Sequence, residues 1–423
     1  MTRHSRSTTR AAFTLVELLV AMALIIFIMA ILSTAFAVSM ETFRDLKAIG
    51  DMSEQMRSTS TIIRRDLAAE HFENAAGNNR RLNAIPTDEP WTGSRKGFFY
   101  IRQDSPGVGE GIDPDGLTSV RVSGPVNAPS GTPGHHEFGM TVKLRKKTQS
   151  DTFSGPLHPM LRGHLANLNL VDFSTVDAGN NALQFVSEWA EVYYFLRQTA
   201  VVTNVANDQT VPLYTLHRRQ RVLAPNESAP LPNTGGNSVQ YNDHVLLSSS
   251  LGLAQVPLTG PPQPPQFRAI GPESLTTFVP GAPPGEYMPA NRLGGWYDPH
   301  RLSRPGYPTS PPPHTGQMPI DYTNWRPYPI PNNQYTNPEY GSDVVLNNVV
   351  SFRIQILTTA SGQFQDLPPN LGNPPGTFPR VYDTARPVPA TGFKPQIRAM
   401  RIQLRVYNVN TGLTRQMSII QDL

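Results

Sequence analysis

The feature that most constrains this 423-residue chain is a long apolar run near its N-terminus, which extends from Leu18 to Met40. The run contains no charged residue, no Gly and no Pro. As an α-helix rising about 1.5 Å per residue, these 23 residues would cover about 34 Å, more than the hydrocarbon core of a bilayer, which is about 30 Å thick. We therefore expect one transmembrane helix over residues 18–40.

A short basic leader precedes the apolar run and carries Arg3, Arg6 and Arg10. Positive charges beside a membrane span tend to remain on the cytoplasmic side. We therefore expect a single-pass protein of the inner (cytoplasmic) membrane. Its leader, residues 1–12, would stay in the cytoplasm, and its C-terminal domain would be exported to the periplasm.

One carboxylate, Glu17, directly precedes the apolar run. A charged group costs about 2.5 to 3.5 kcal/mol at the centre of a bilayer, so a carboxylate at the edge of a span calls for a functional explanation. Residues 13–21 read Phe-Thr-Leu-Val-Glu-Leu-Leu-Val-Ala. This stretch resembles the N-terminus of type IV pilins and type II secretion pseudopilins, although Ala12 stands where that family usually has Gly.

This resemblance implies a maturation pathway and a role for the carboxylate. A prepilin peptidase would cut between Ala12 and Phe13, and the new N-terminal Phe13 would be N-methylated. Glu17 would then act in assembly by meeting the terminal amine of a neighbouring subunit. The alternative is an ordinary signal anchor with an interfacial Glu17, but a conventional secretory signal has an apolar core of only about 7 to 15 residues.

The helix is expected to continue beyond the membrane, because apolar residues recur at steps of three and four after Met40. We predict one helix over residues 13–74, transmembrane over 18–40 and amphipathic over 41–74. Gly77, among several Asn residues, would follow its C-terminal end. The amphipathic stripe consists of Phe43, Leu46, Ile49, Met52, Met56, Ile63 and Leu67.

The remaining sequence predicts an α+β fold, in which the long helix packs on antiparallel β-sheet. Residues 191–197 and 212–219 are rich in aromatic and β-branched residues and indicate a hairpin. Residues 351–356 and 400–406 alternate apolar with polar side chains, as half-buried antiparallel strands do. We assign residues 75–222 and 341–423 to one pilin-like β domain.

Residues 223–340 interrupt that domain and hold 24 of the 42 prolines in the chain. Because proline cannot donate a backbone hydrogen bond, this density excludes a packed central sheet. We predict an extended, irregular, Pro-rich insertion that lies partly on the domain. Its composition suggests that the segment is dispensable for folding.

No catalytic, metal or cofactor site is expected, and we predict that the protein is not an enzyme. The chain has no Cys, no nucleophile elbow and no phosphate-binding loop. His135, His136 and Glu137 lack the helical spacing of a metal site, and we expect them in a solvated loop. The net charge of +4 is small and partly due to the leader, so no nucleic-acid partner is expected.

The order of the helix and the four strong strands resembles the minor pseudopilin J family of type II secretion. The resemblance implies a place at the filament tip and helix bundling with other minor and major pseudopilins. Two alternatives stay open: a minor type IV pilin with an adhesive or DNA-uptake role, and a solitary membrane-anchored exported protein. The sequence names neither the secreted cargo nor the partner subunits.

Overall fold

A computed structural model describes the chain from residue 14 to residue 423 with internal gaps. It contains two compact units, Met1–Glu54 and Gln55–Leu423. The described residues are 14–73, 79–85, 91–103, 136–144, 152–156, 171–176, 182–203, 210–225, 250–251, 253–256, 266–269, 271–273, 275–276, 292, 342–368, 380–386, 394–409 and 411–423.

One helix, α1 (Leu15–Leu67), forms the N-terminal part of the chain. Its 53 residues contain no Pro, and its last turn carries Arg64 and Arg65, cations that suit the negative end of a helix dipole. Of the predicted amphipathic stripe, Met56, Ile63 and Leu67 are buried in the second unit. Two other members of the stripe, Phe43 and Leu46, are exposed.

The helix ends at Leu67, seven residues before the predicted end at Asn74. Tertiary contacts set this end rather than Gly77. The imidazole of His71 lies 3.1 Å from the Leu67 carbonyl oxygen, and the Lys143 backbone N–H donates to the carbonyl of Glu70 at 2.8 Å. The chain therefore enters β structure directly after the helix.

Eighteen strands and one short 3-10 helix, η1 (Leu82–Ala84), follow within the described residues. The strands are β1 (Phe72–Glu73), β2 (Asn79–Arg80), β3 (Lys96–Gly97), β4 (Phe99–Gln103), β5 (His136–Lys143), β6 (Phe153–Pro156), β7 (Val171–Val176), β8 (Ala182–Ser187), β9 (Trp189–Thr203), β10 (Thr210–Leu223), β11 (Ser250–Leu251), β12 (Leu253–Val256), β13 (Gln266–Ala269), β14 (Ser342–Thr358), β15 (Phe364–Gln365), β16 (Arg380–Asp383), β17 (Ile397–Tyr407) and β18 (Thr414–Asp422).

The largest sheet has ten strands and runs in the order β16-β4-β5-β9-β10-β14-β17-β18, with β11 beside β10 and β15 beside β14. Its neighbours pair antiparallel except for β10 and β11. The predicted hairpin is confirmed as β9 and β10, and the two predicted alternating strands are confirmed as the paired β14 and β17. Three smaller sheets have the orders β2-β1-β3, β6-β8-β7 and β12-β13. The α+β class is thus confirmed.

Aromatic side chains form much of the core of the second unit. Phe138 and Tyr194 stack with ring centroids 4.6 Å apart, and Phe352 lies 6.1 Å from Phe138. Gly139 permits this close packing of neighbouring strands, because a Cβ atom there would lie 2.3 Å from Cδ2 of Tyr193. Burial of such rings contributes most of the hydrophobic stabilisation of a domain.

His136 and Glu137 were expected in a solvated loop, and that expectation is wrong. Both residues lie on β5 and are buried. His136 Nδ1 accepts a hydrogen bond from the Ile354 backbone N–H at 3.0 Å, and Glu137 lies 3.9 Å from Arg102. Hydrogen bonding and ion pairing satisfy these polar groups in the core, which single-sequence patterns do not reveal.

The insertion contributes at least two buried residues to the second unit, Leu275 and Arg292. The Arg292 guanidinium binds both carboxylate oxygens of Asp383, at 2.8 and 3.2 Å, and donates to the Leu275 carbonyl at 2.7 Å. It also lies 3.8 Å from the centroid of the Phe98 ring. These contacts argue against the dispensability that the proline content suggested.

We expect Arg292→Ala to lower the free energy of unfolding by about 3 to 5 kcal/mol, because it leaves the buried Asp383 carboxylate without its cation. Chemical denaturation of the detergent-solubilised protein measures the change. Arg353→Ala is the matched control, since Arg353 pairs with Asp366 at 3.0 Å in a partly exposed site and should cost about 1 kcal/mol or less. Equal effects of the two substitutions would contradict an anchoring role for Arg292.

Candidate functional site

The N-terminal end of α1 carries the candidate assembly residue, Glu17, in the first helical turn. The Thr14 backbone N–H and hydroxyl both donate to Glu17 Oε2, at 3.0 and 3.1 Å. The Glu17 backbone N–H in turn lies 3.3 Å from Thr14 Oγ1. This reciprocal pairing is a capping box, which satisfies backbone donors that the first turn leaves free.

In the sequence, this capping box corresponds to the pattern Thr-x-x-Glu at Thr14 and Glu17. Among the described residues, no hydrogen bond reaches the second carboxylate oxygen, Oε1. Glu17 is exposed on the protein and can therefore offer Oε1 to a donor from outside the chain while Oε2 keeps its bonds to Thr14. A carboxylate held in this way is oriented before any partner arrives.

From Leu18 to Met40 the surface of the helix carries no charged residue on any side. Within the described residues, α1 is the one helix long and apolar enough to cross a membrane, and none of its most apolar 18-residue window is buried. Helices that are apolar all round require lipid or other apolar helices around them. The predicted cleavage and methylation site, Ala12 and Phe13, lies outside the described residues.

The C-terminal end of α1 carries a second polar cluster, which sequence reasoning missed. Asp66 is buried, and its Oδ2 accepts hydrogen bonds from Arg218 Nε at 2.7 Å and from the Tyr194 hydroxyl at 2.7 Å. Arg218 Nη2 donates to the side-chain carbonyl of Gln220 at 2.8 Å. The cluster joins the last turn of the helix to the neighbouring strands β9 and β10.

Electrostatics keep two members of this cluster, Tyr194 and Arg218, protonated. Burial raises the pKa of Tyr194 well above its ordinary value, and the negative charge of Asp66 raises it further. Burial lowers the pKa of Arg218, but the negative charge of Asp66 and the hydrogen bonds to Asp66 and Tyr194 outweigh that effect and raise it. The phenol therefore remains a donor and the guanidinium remains a cation at any physiological pH.

The described residues provide no group of three or more His, Asp or Glu side chains that could hold a metal ion. Other buried ion pairs, such as Arg221 with Glu191, lie between adjacent strands.

We expect Asp66→Ala to lower the free energy of unfolding by about 3 to 5 kcal/mol, because Arg218 would remain buried without a counter-ion. Arg65→Ala provides the control, since the exposed Arg65 reaches the same carboxylate at 3.4 Å and should contribute less than about 1 kcal/mol. Chemical denaturation of both variants under the same conditions measures the two changes in the free energy of unfolding. A loss at Asp66 no larger than that at Arg65 would show that the cluster adds little stability.

Comparison with protein-family models gives no match for this chain, and comparisons with curated proteins and with solved structures give none either.

Proposed function

We propose that this protein is a minor pseudopilin of a type II secretion system, a membrane-anchored subunit that assembles through α1 at the tip of a pseudopilus to support protein export. The observation that carries the proposal is Glu17, a single carboxylate in the first turn of α1, directly before an exposed apolar stretch of the helix. The family motif in residues 13–21 surrounds this carboxylate. Its partners would be other minor and major pseudopilins.

The geometry of Glu17 supports this role because one of its oxygens can accept an external donor. Two opposite charges about 4 Å apart gain about 4 kcal/mol at an effective dielectric constant of 20. That gain can offset the cost of holding a carboxylate beside lipid. The N-terminal amine of a neighbouring mature subunit would supply the opposite charge.

The second unit supports the proposal through its connection to the helix. The final turns of α1 are buried in that unit, and Asp66 fixes them to β9 and β10 by strong hydrogen bonds. A filament subunit needs such an attachment, because forces on the assembled helix must reach the exported head. An α+β head after a long apolar helix also agrees with the class of protein proposed.

We expect the mature chain to begin with N-methylated Phe13, since the predicted peptidase site lies between the basic leader and the span. Peptide mapping by mass spectrometry of protein purified from membranes tests this directly. Ala12→Gly, which restores the usual residue of the family, should be processed at least as completely. Recovery of an intact Met1 or Thr2 terminus from exported protein would contradict the proposed maturation.

We expect the Glu17→Val protein to insert into the membrane and to be cleaved, but to co-purify with much less of its pilin-like partner subunits. Glu17→Gln separates the two roles of this side chain, because Gln preserves a capping box but carries no charge. If the charge drives assembly, both variants fail. If the cap matters more, Glu17→Gln retains its partners.

Co-purification from membranes at equal protein abundance is the measurement, and Glu41→Val, an exposed carboxylate on the same helix beyond the apolar run, is the control. Undiminished partner recovery for both Glu17 variants, with normal secretion, would show instead that Glu17 is an interfacial residue of an ordinary membrane anchor. Loss of surface attachment or DNA uptake with normal secretion would favour a minor type IV pilin.

A further inference from the structure

A polar cavity that is open to solvent lies on the largest sheet. Its volume is about 480 Å³, and strands β9, β10 and β14 supply its walls. Pockets of about 300 to 1,000 Å³ are the usual size of small-molecule sites. The lining residues are Thr199, Thr215, His217, Val344, Asn347 and Asn348.

Irregular backbone surrounds this cavity. The register between β9 and β10 shifts at Leu213 and Tyr214, and the register between β10 and β14 shifts on both sides of Leu216. Asn348, with φ of 54°, is the one non-glycine residue with positive φ among those the structure describes. β-bulges redirect side chains and occur frequently beside functional sites. Three register shifts and a left-handed residue at one place therefore mark this part of the sheet as specialised.

The chemistry of the lining is polar but carries no permanent charge. Two hydroxyls, two amides and an imidazole face the cavity, and the exposed Val344 adds an apolar surface. This combination suits a neutral molecule that offers both hydroxyl groups and apolar C–H faces. It offers no fixed counter-ion to a phosphate or a carboxylate.

In the part of the chain that the structure describes, the hydroxyl groups of the cavity make long hydrogen bonds only. Thr215 Oγ1 lies 3.3 Å from Thr199 Oγ1 and 3.5 Å from Asn347 Oδ1, and Thr199 Oγ1 lies 3.4 Å from the Leu213 carbonyl oxygen. Good O–H···O bonds are about 2.7 to 2.8 Å long. Elsewhere the Thr59 hydroxyl reaches the Gln55 carbonyl at 2.7 Å. The cavity hydroxyls therefore retain capacity for closer partners.

We propose that this cavity binds a neutral carbohydrate, whose hydroxyl groups would shorten this loose network and whose C–H face would pack on Val344. The inference is independent of the pseudopilin proposal.

Isothermal titration of the full-length protein tests the inference. The protein should be solubilised in a zwitterionic detergent without a sugar head group, because such a head group would itself compete for the site. The probes are maltose, cellobiose and diacetylchitobiose, with glucuronic acid as a charged comparison. We expect at least one neutral disaccharide to bind with a millimolar dissociation constant.

Two substitutions localise the binding. Thr215→Val and Asn347→Ala should each weaken binding roughly tenfold, which corresponds to about 1.4 kcal/mol. Thr61→Val is the matched control, since the Thr61 hydroxyl donates to the Arg57 carbonyl of its own helix. The affinity of this variant for the disaccharide should not change. Asn347 is exposed, so Asn347→Ala keeps the test valid if the buried Thr215→Val variant fails to fold.

Three results would overturn the inference. These are no binding of any neutral disaccharide at high millimolar concentration, binding of glucuronic acid alone, and binding that neither cavity substitution weakens.

Discussion

The buried bonds of Asp66 to Arg218 and Tyr194 are the interaction on which the rest of this protein depends. Asp66 is the one acidic residue in the last turn of α1, and its two partners lie on adjacent central strands. A buried carboxylate is unfavourable unless hydrogen bonds and an opposite charge compensate it. Because the observed placement of the helix end satisfies all three groups, the cluster holds the last turn of α1 against β9 and β10.

The parts of this structure that could be predicted from the sequence are those with a local signal. The apolar run at Leu18 indicated the helix by its length, and the alternation in β14 and β17 indicated strands, because successive side chains of a strand point to opposite faces. The half-burial predicted for these strands is wrong in part, since Ser351, Gln355 and Arg405 are buried. The pairing of β9 with β10 could also be predicted, because the two strands are close in sequence. Each of these features depends on neighbouring residues only.

The features that escaped prediction depend on residues distant in sequence. The helix stops at Leu67 because His71 and Lys143 engage the chain beyond it, and Arg292 becomes core because it meets Asp383, 91 residues away. A buried Arg cannot be distinguished from a solvated Arg by the identity of the residue alone. For the candidate site, the motif in residues 13–21 indicated Glu17, and the Thr14 cap was present in the sequence as a known pattern. The cavity beside Asn348 could not be predicted, because it arises from register shifts that leave no local pattern in the sequence.

The absence of cysteine leaves the head without any disulfide and transfers part of the stabilisation to ion pairs that lie inside it, such as Arg292 with Asp383 and Arg218 with Asp66. Dissolved ions screen exposed charges over about 8 Å at an ionic strength of 0.15 M, but they hardly reach pairs enclosed by protein. Thiol reductants have no bond to break in such a domain, and added salt weakens its enclosed Arg–carboxylate pairs less than it weakens pairs at the surface.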